Sequence, residues 1–161
     1  MHREKPGDEA AIHEVKRLAF ETDDETNLVD ASRRDGYLRI SLVAEEDGKI
    51  VGHVLFSGVS VDGVSKPLAL APVAVVPGRQ SEGVGSAMIK AGIKTCAAEG
   101  FDAIFVLGEP GYYSRFGFST EKANTFDTPY PKEYFMALEL AEETLEGASG
   151  SIEYPPPFGG G

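Results

Sequence analysis

One short run in this chain has the residue types and the spacing to hold an anion. It reads Gln80-Ser81-Glu82-Gly83-Val84-Gly85-Ser86 and lies between an apolar stretch, Leu68 to Val76, and a helix-forming stretch that ends at Glu99. Gly83 and Gly85 have no Cβ, so a ligand can approach their backbone closely. The first N–H groups of the helix that follows have no intrahelical acceptor, and the macrodipole adds partial positive charge there. The chemistry this suits is capture of a phosphate or pyrophosphate. Two common forms of that chemistry fit poorly. A P-loop needs Lys followed by Ser or Thr after its second glycine, whereas Gly85 precedes Ser86-Ala87. A dinucleotide fingerprint needs a third glycine where Met88 stands, on the first crossover of a doubly wound sheet.

The other reactive side chains are scattered. Cys96 is the single cysteine, so no internal disulfide forms, and it falls in an apolar helical pattern that predicts a buried structural thiol. His53 sits in a strand pattern and reads as structural; His13 reads as a helix-surface residue and His2 is terminal. Glu109, just past an apolar run, is a candidate base acting through a water, its simplest reading is a solvated loop charge, and a water chain or an amine arriving neutral would dispense with a dedicated base. No His, Cys or Asp cluster has metal-ligand spacing, so no metal is expected.

The elements that must position these residues follow from the periodicity. His2 to Pro6 predicts a short first strand, and Asp8 an N-cap for a helix from Glu9 to Phe20. An acidic loop, Glu21 to Glu25, leads to a second helix around Asn27 to Arg34. From Tyr37 the period changes to two: Leu38, Ile40, Leu42 and Ala44 alternate with Arg39, Ser41 and Val43, a half-buried strand. Glu46-Asp47-Gly48 predicts a hairpin turn, Lys49 to Val61 the returning strand, and Ser65 to Val76 a third strand of an antiparallel meander. Ile89, Ile93 and Cys96, with Met88 and Ala97 beside them, give the central helix its apolar side, and Gly100 stops it. Ala103 to Leu107 is a buried strand, so the strand–helix–strand order implies a parallel crossover. A last strand is expected at Tyr134 to Leu140. Pro72 has no N–H to donate and suits a bulge or an unpaired edge.

These residues resemble the GNAT superfamily of N-acetyltransferases. The run Gln80 to Gly85 is similar to that family's Arg/Gln-x-x-Gly-x-Gly/Ala signature between its fourth strand and the next helix. Tyr113-Ser114-Arg115-Phe116-Gly117-Phe118 is similar to its Tyr-x-Lys/Arg-x-Gly-Phe run. The resemblance implies an α/β (α+β) fold: a mixed sheet with an antiparallel meander, a parallel crossover, and fourth and fifth strands that splay apart. It implies acetyl-CoA as donor, with the backbone of Gln80, Ser81, Glu82, Gly83, Val84, Gly85 and Ser86 on the pyrophosphate. The edge at Val73, Ala74 and Val75 would pair with the pantetheine arm and supply an N–H to the thioester oxygen. Tyr113 would protonate the departing thiolate and touch the cofactor, with Tyr112 packing beside it. The amine would meet Phe20 and Asn27, with Leu28, Tyr130 and Phe135 nearby. The family often has an Asn after the fifth strand; Leu107-Gly108-Glu109-Pro110 has none.

The expected activity is thus acetyl transfer to a primary amine of a small molecule, directly within a ternary complex. A non-catalytic acyl-CoA-binding module and a protein N-terminal or lysine acetyltransferase are the alternatives. The net charge of −11 argues against nucleic acid, whose phosphates need Lys and Arg, and favours a cationic small molecule. The longest apolar run is too short to span a membrane and no signal region is evident, which predicts a cytoplasmic location; the expected state is a monomer or homodimer. The expected organisation is one domain over 1–146 and a Gly/Pro-rich tail over 147–161.

Overall fold

The computed structural model describes residues 1–19, 38–61, 64, 66–77, 83–128, 131–141, 145 and 150–153. Its centre is the antiparallel pair β2 (Leu38–Glu46) and β3 (Lys49–Gly58). The hairpin between them turns through Asp47 and Gly48, both at positive φ (50° and 79°), which matches the right-handed twist of the flanking strands. β1 (His2–Arg3) adds to the outer edge of β2, and β5 (Pro67–Val75) to the other side of β3, both antiparallel. β6 (Ala103–Leu107) runs parallel to β5, and β8 (Phe135–Glu139) closes the sheet antiparallel to β6. Among the described residues the sheet has six strands in the order β1-β2-β3-β5-β6-β8. The expected mixed sheet is therefore present; β5 and β6 are the fourth and fifth strands of the expected fold, since a short β4 (Ser60–Val61) intervenes.

The period-two strand is not half-buried. Ile40, Leu42 and Ala44 pack in the larger core, and Ser41 and Val43 on the other face are equally buried. Helices cover both faces. α1 (Glu9–Ala19) lays Ile12 on Val43 and Leu55. Its first bond is Ile12 N–H to the Asp8 carbonyl at 2.9 Å, while the Asp8 carboxylate turns back to accept the Lys5 N–H at 2.8 Å. α2 (Val84–Ala98) covers the opposite face with Met88, Ile89, Gly92 and Cys96. It approaches so closely that a Cβ at Gly92 would lie 2.5 Å from the Phe56 ring. Ala97, expected on the apolar side, is exposed. Gly100 (φ 87°) ends the helix as expected: its N–H reaches the Ala97 carbonyl and that of Phe101 reaches Cys96, both at 3.1 Å, the paired bonds of a Schellman turn.

One correction concerns the C-terminal segment. Gly150–Glu153 forms β9, which joins β4 and β7 (Phe126–Asp127) in a second, three-stranded sheet. Ile152 is buried with Phe105, Phe126 and Phe135, so a part of the expected tail belongs to the domain core. Ser-Ile-Glu is too short a pattern to outweigh the surrounding Gly and Pro at the level of sequence. Phe135, expected near the amine, is consumed in this core, stacked on Phe105 at 5.7 Å. The expected helix at Asn27 to Arg34 lies outside the described residues.

Candidate active site

The sheet opens between β5 and β6. Their parallel ladder runs through Pro67↔Ala103, Leu68↔Ile104 and Ala69↔Phe105, although β5 continues to Val75 and β6 to Leu107. Beyond Ala69 each strand stays with its outer neighbour. On β5, Val73, Ala74 and Val75 pair with Val54, His53 and Gly52; on β6, Val106 and Leu107 pair with Met136 and Phe135. An irregularity in β5 follows the last shared pair. Between Leu70↔Phe56 and Val73↔Val54, Ala71 and Pro72 stand opposite Leu55 alone, which is a β-bulge. The proline thus sits where the sequence places it, at a position that needs no ladder donor.

A cleft of about 590 Å³ follows from this opening, lined by Val73, Val75, Gly83, Gly85, Ser86, Tyr112, Tyr113 and Arg115. Val73 and Val75 present their side chains to it. Ala74 faces the other side of the sheet and is buried. Val76 N–H bonds to the Val51 carbonyl at 2.9 Å, so by the two-residue period the Val73 backbone is directed to the opposite edge, toward the gap.

The N-terminus of α2 forms a second wall. Gly83 is its N-cap, at φ 84° and ψ 4°, a left-handed conformation that a side chain would strain. The first intrahelical bond is Ala87 N–H to the Gly83 carbonyl at 2.9 Å, so the N–H groups of Val84, Gly85 and Ser86 point out of the helix end. No acidic residue occupies this turn to offset the positive dipole end. Gln80, Ser81 and Glu82 lie outside the described residues, as do Phe20 and Asn27.

The third wall is a short helix, α3 (Pro110–Tyr113), continued by a tighter turn over Ser114–Phe116 and closed by Gly117 at φ 99°. Pro110 supplies the first helical φ without a wasted donor. The Glu109 carbonyl accepts the N–H groups of Tyr112 and Tyr113, each at 3.0 Å. The Glu109 side chain is exposed and does not line the cleft, so its backbone is what the structure uses at this position. Tyr113 lies over Gly108, where a Cβ would come within 2.4 Å of its ring, and it makes edge contacts with Tyr112 (5.0 Å) and Phe118 (5.9 Å). Burial, and next the neighbouring Tyr112, push its phenol up to about 12. Tyr113 therefore keeps its proton throughout the neutral range.

Two cleft residues were given no site role by the sequence reading. Tyr112, expected only to pack, places its hydroxyl 3.1 Å from Ser86 Oγ and so ties α3 to the first turn of α2. Arg115 stacks its guanidinium over the Tyr112 ring at 4.8 Å. Both lie in the Tyr-Tyr-Ser-Arg run; the signal was present, but a spacing rule does not say which side of a short helix faces a cleft.

The remaining reactive side chains lie away from the cleft. His53 is fully buried on the opposite face of the sheet, with Nε2 2.7 Å from Ser41 Oγ, and Ser41 donates in turn to Glu4 Oε1 at 2.9 Å. Because the Ser41 hydroxyl proton goes to Glu4, Nε2–H donates to Ser41. Cys96 is buried on the inner face of α2, its thiol pushed up to about 12 chiefly by burial, so it is no nucleophile. His13 is exposed, and His2 bonds to Glu45 at 2.9 Å. Among the described residues no group of His, Cys, Asp and Glu could hold a metal ion, and no helix is long and apolar enough to cross a membrane.

The model of the acetyltransferase (GNAT) family matches residues 9–118. The Escherichia coli K12 protein named uncharacterized N-acetyltransferase YhbS is 34% identical over 159 residues, covering 96% of this chain and 95% of that one. The crystal structure of E. coli YhbS in complex with CoA superposes with a TM-score of 0.91 at 33% identity, covering 98% of this chain and 90% of that chain. A GNAT family acetyltransferase from Brucella melitensis, solved in complex with acetyl-CoA, superposes with a TM-score of 0.81 at 34% identity, covering 98% and 96%. The chain belongs to the acetyltransferase (GNAT) family, and its class of activity is that of an N-acetyltransferase.

Proposed function

We propose that this chain moves the acetyl group of acetyl-CoA to a primary amine of a small molecule, by direct transfer while both are bound. The observation that carries the reading is the cleft at the parting of β5 and β6, with outward N–H groups on one wall and Tyr113 on another. CoA and acetyl-CoA are bound in the two related crystal structures, and the residues here fit such a ligand. Gly83 and Gly85 let a pyrophosphate reach the amides of Val84, Gly85 and Ser86. The gap edge of β5 at Val73 offers backbone pairing to an amide-containing arm, and an N–H there polarises the thioester carbonyl.

Transfer forms a bond from the amine nitrogen to the acetyl carbon and breaks the bond from that carbon to sulfur. The electron pair leaves with sulfur, and the amine must lose a proton. Tyr113 is the proton donor toward sulfur. Its pKa near 12 is well above the ordinary thiol value of about 8.5, so complete transfer to a free thiolate runs uphill. Tyr113 therefore stabilises the growing negative charge through its O–H and yields its proton only as it recovers another, ultimately the one the amine gives up. Glu109 is exposed at the start of α3, within the solvent that would carry that proton.

The test is acetyl-CoA turnover across a panel of small amines, with Tyr113→Phe as control. Acetylation of a small amine, with kcat lowered on the order of 100-fold in the variant and CoA affinity kept, supports the reading. CoA binding without transfer to any amine, or transfer only to protein lysines or N-termini, overturns it.

A further inference from the structure

We infer that Arg115 is the residue that selects the 3′-phosphorylated form of coenzyme A, by pairing with the phosphate on the adenosine ribose. The inference rests on the acetyl-CoA reading above. Coenzyme A carries about four negative charges on its phosphates. The chain carries a net charge of −11, a field that opposes such a ligand, so attraction has to be built locally. The end of α2 can serve one phosphate cluster with the amides of Val84, Gly85 and Ser86. A second phosphate, on the far side of the ribose, needs a partner of its own. Arg115 is the one charged side chain among the described residues that line the cleft.

Its position suits that role. Ser86 in the first turn of α2 touches the Tyr112 hydroxyl at 3.1 Å, and the Arg115 guanidinium lies over the Tyr112 ring at 4.8 Å from its centre. Tyr112 thus spans the distance from the helix end to the guanidinium, and fixes one relative to the other. A guanidinium held over a ring at this cation–π distance makes no hydrogen bond to it, so its N–H donors are left to grip a phosphate with two bonds. The group is also positioned before binding, which lowers the ordering cost that a free side chain would incur. Among the described residues no carboxylate pairs with Arg115, so nothing there competes with the phosphate.

The experiment is calorimetric titration of coenzyme A and of 3′-dephospho-coenzyme A into the wild-type chain, Arg115→Gln and Arg115→Lys. The wild type is expected to bind coenzyme A about tenfold tighter than the dephospho form, the size of one charge-assisted contact. Arg115→Gln should weaken coenzyme A by about that factor and leave the dephospho form within about twofold, so the preference vanishes. Arg115→Lys, which keeps charge but loses the planar fork, should restore part of it. High salt should narrow the wild-type preference. Equal weakening of both ligands in Arg115→Gln would place the side chain on the adenine or the pyrophosphate and overturn the inference, as would no weakening at all. If the wild type binds neither ligand, the acetyl-CoA reading itself fails, a result distinct from either.

Discussion

Gly108→Ala tests the positioning of Tyr113 without touching its chemistry. Gly108 follows β6 and gives its N–H to the Tyr134 carbonyl at 2.9 Å. Its φ is not among the positive values, so alanine is compatible with the backbone and the effect is steric. The new Cβ would stand 2.4 Å from Cε2 and 2.9 Å from Cδ2 of Tyr113. Restoring ordinary contact near 3.4 Å requires the ring to retreat by about 1 Å. It cannot do so freely, because Tyr112 and Phe118 hold it edge-on from other sides. Overpacking of this kind destabilises by about 1–3 kcal/mol. A displacement near 1 Å of a proton-donating hydroxyl lowers kcat on the order of 100-fold. The N–H groups of α2 are untouched, so coenzyme A affinity should stay within a few-fold. The assay is steady-state acetylation with a coenzyme A titration and a melting curve alongside, repeated in the Tyr113→Phe background. Working through the tyrosine hydroxyl, the alanine should lower kcat in the wild type and add almost nothing to Tyr113→Phe. An unchanged kcat in the single variant, or an equal loss in both backgrounds, would refute the reasoning.

Three further outcomes are expected. Tyr113 has a folded pKa near 12 against 10 unfolded, so its contribution is fully present below pH 10 and is lost as pH rises from about 10 to about 12, roughly 2–3 kcal/mol in all; denaturant melts of the wild type and Tyr113→Phe across that window should show the variant free of this component. Gly92→Ala should lower stability by about 1–3 kcal/mol, read as a fall in Tm, because its Cβ would meet the Phe56 ring at 2.5 Å where α2 presses on β3. The Cys96 thiol, held near 12 chiefly by burial and then by Glu99, should react with a thiol reagent at pH 8 far more slowly in the folded chain than in denaturant.

The glycine wall of the cleft was more legible in the sequence than its other walls, and the reason is physical. A glycine at a strand–helix junction leaves few other interpretations, since the left-handed N-cap at Gly83 is a demand that glycine meets cheaply. Pro72 was legible for the same reason: a missing donor restricts where a strand can place it. Burial on both sides of β2 was not legible, because alternation says that two faces differ and does not say that α1 will cover the second one. His53 read as structural with no partner named; in the fold it meets Ser41 through a 2.7 Å contact whose partners are twelve residues apart. Tyr112 was underread since its function depends on Ser86, a neighbour in space only once the crossover has folded. β9 was missed because its support comes from Ser60–Val61 and Phe126–Asp127, far away in the chain.

The opening between β5 and β6 does not depend on a ligand to hold it apart. Past Ala69, β5 is bonded to β3 and β6 is bonded to β8, so each strand is secured on the side away from the gap. Closing the gap would mean swinging a strand across together with the neighbour it is bonded to, and the bulge at Ala71-Pro72 already offsets β5 from the register that a continued parallel ladder would need. The walls are equally fixed: the Tyr112–Ser86 contact joins α3 to α2, and the Gly83 conformation sets the helix end before anything binds. A site assembled this way demands little ordering on binding, so its contacts are realised as affinity instead of being consumed in reorganisation. The same rigidity is what makes a 1 Å change at Gly108 or the loss of one charge at Arg115 readable: with the frame held, the effect of each stays local to the group it perturbs.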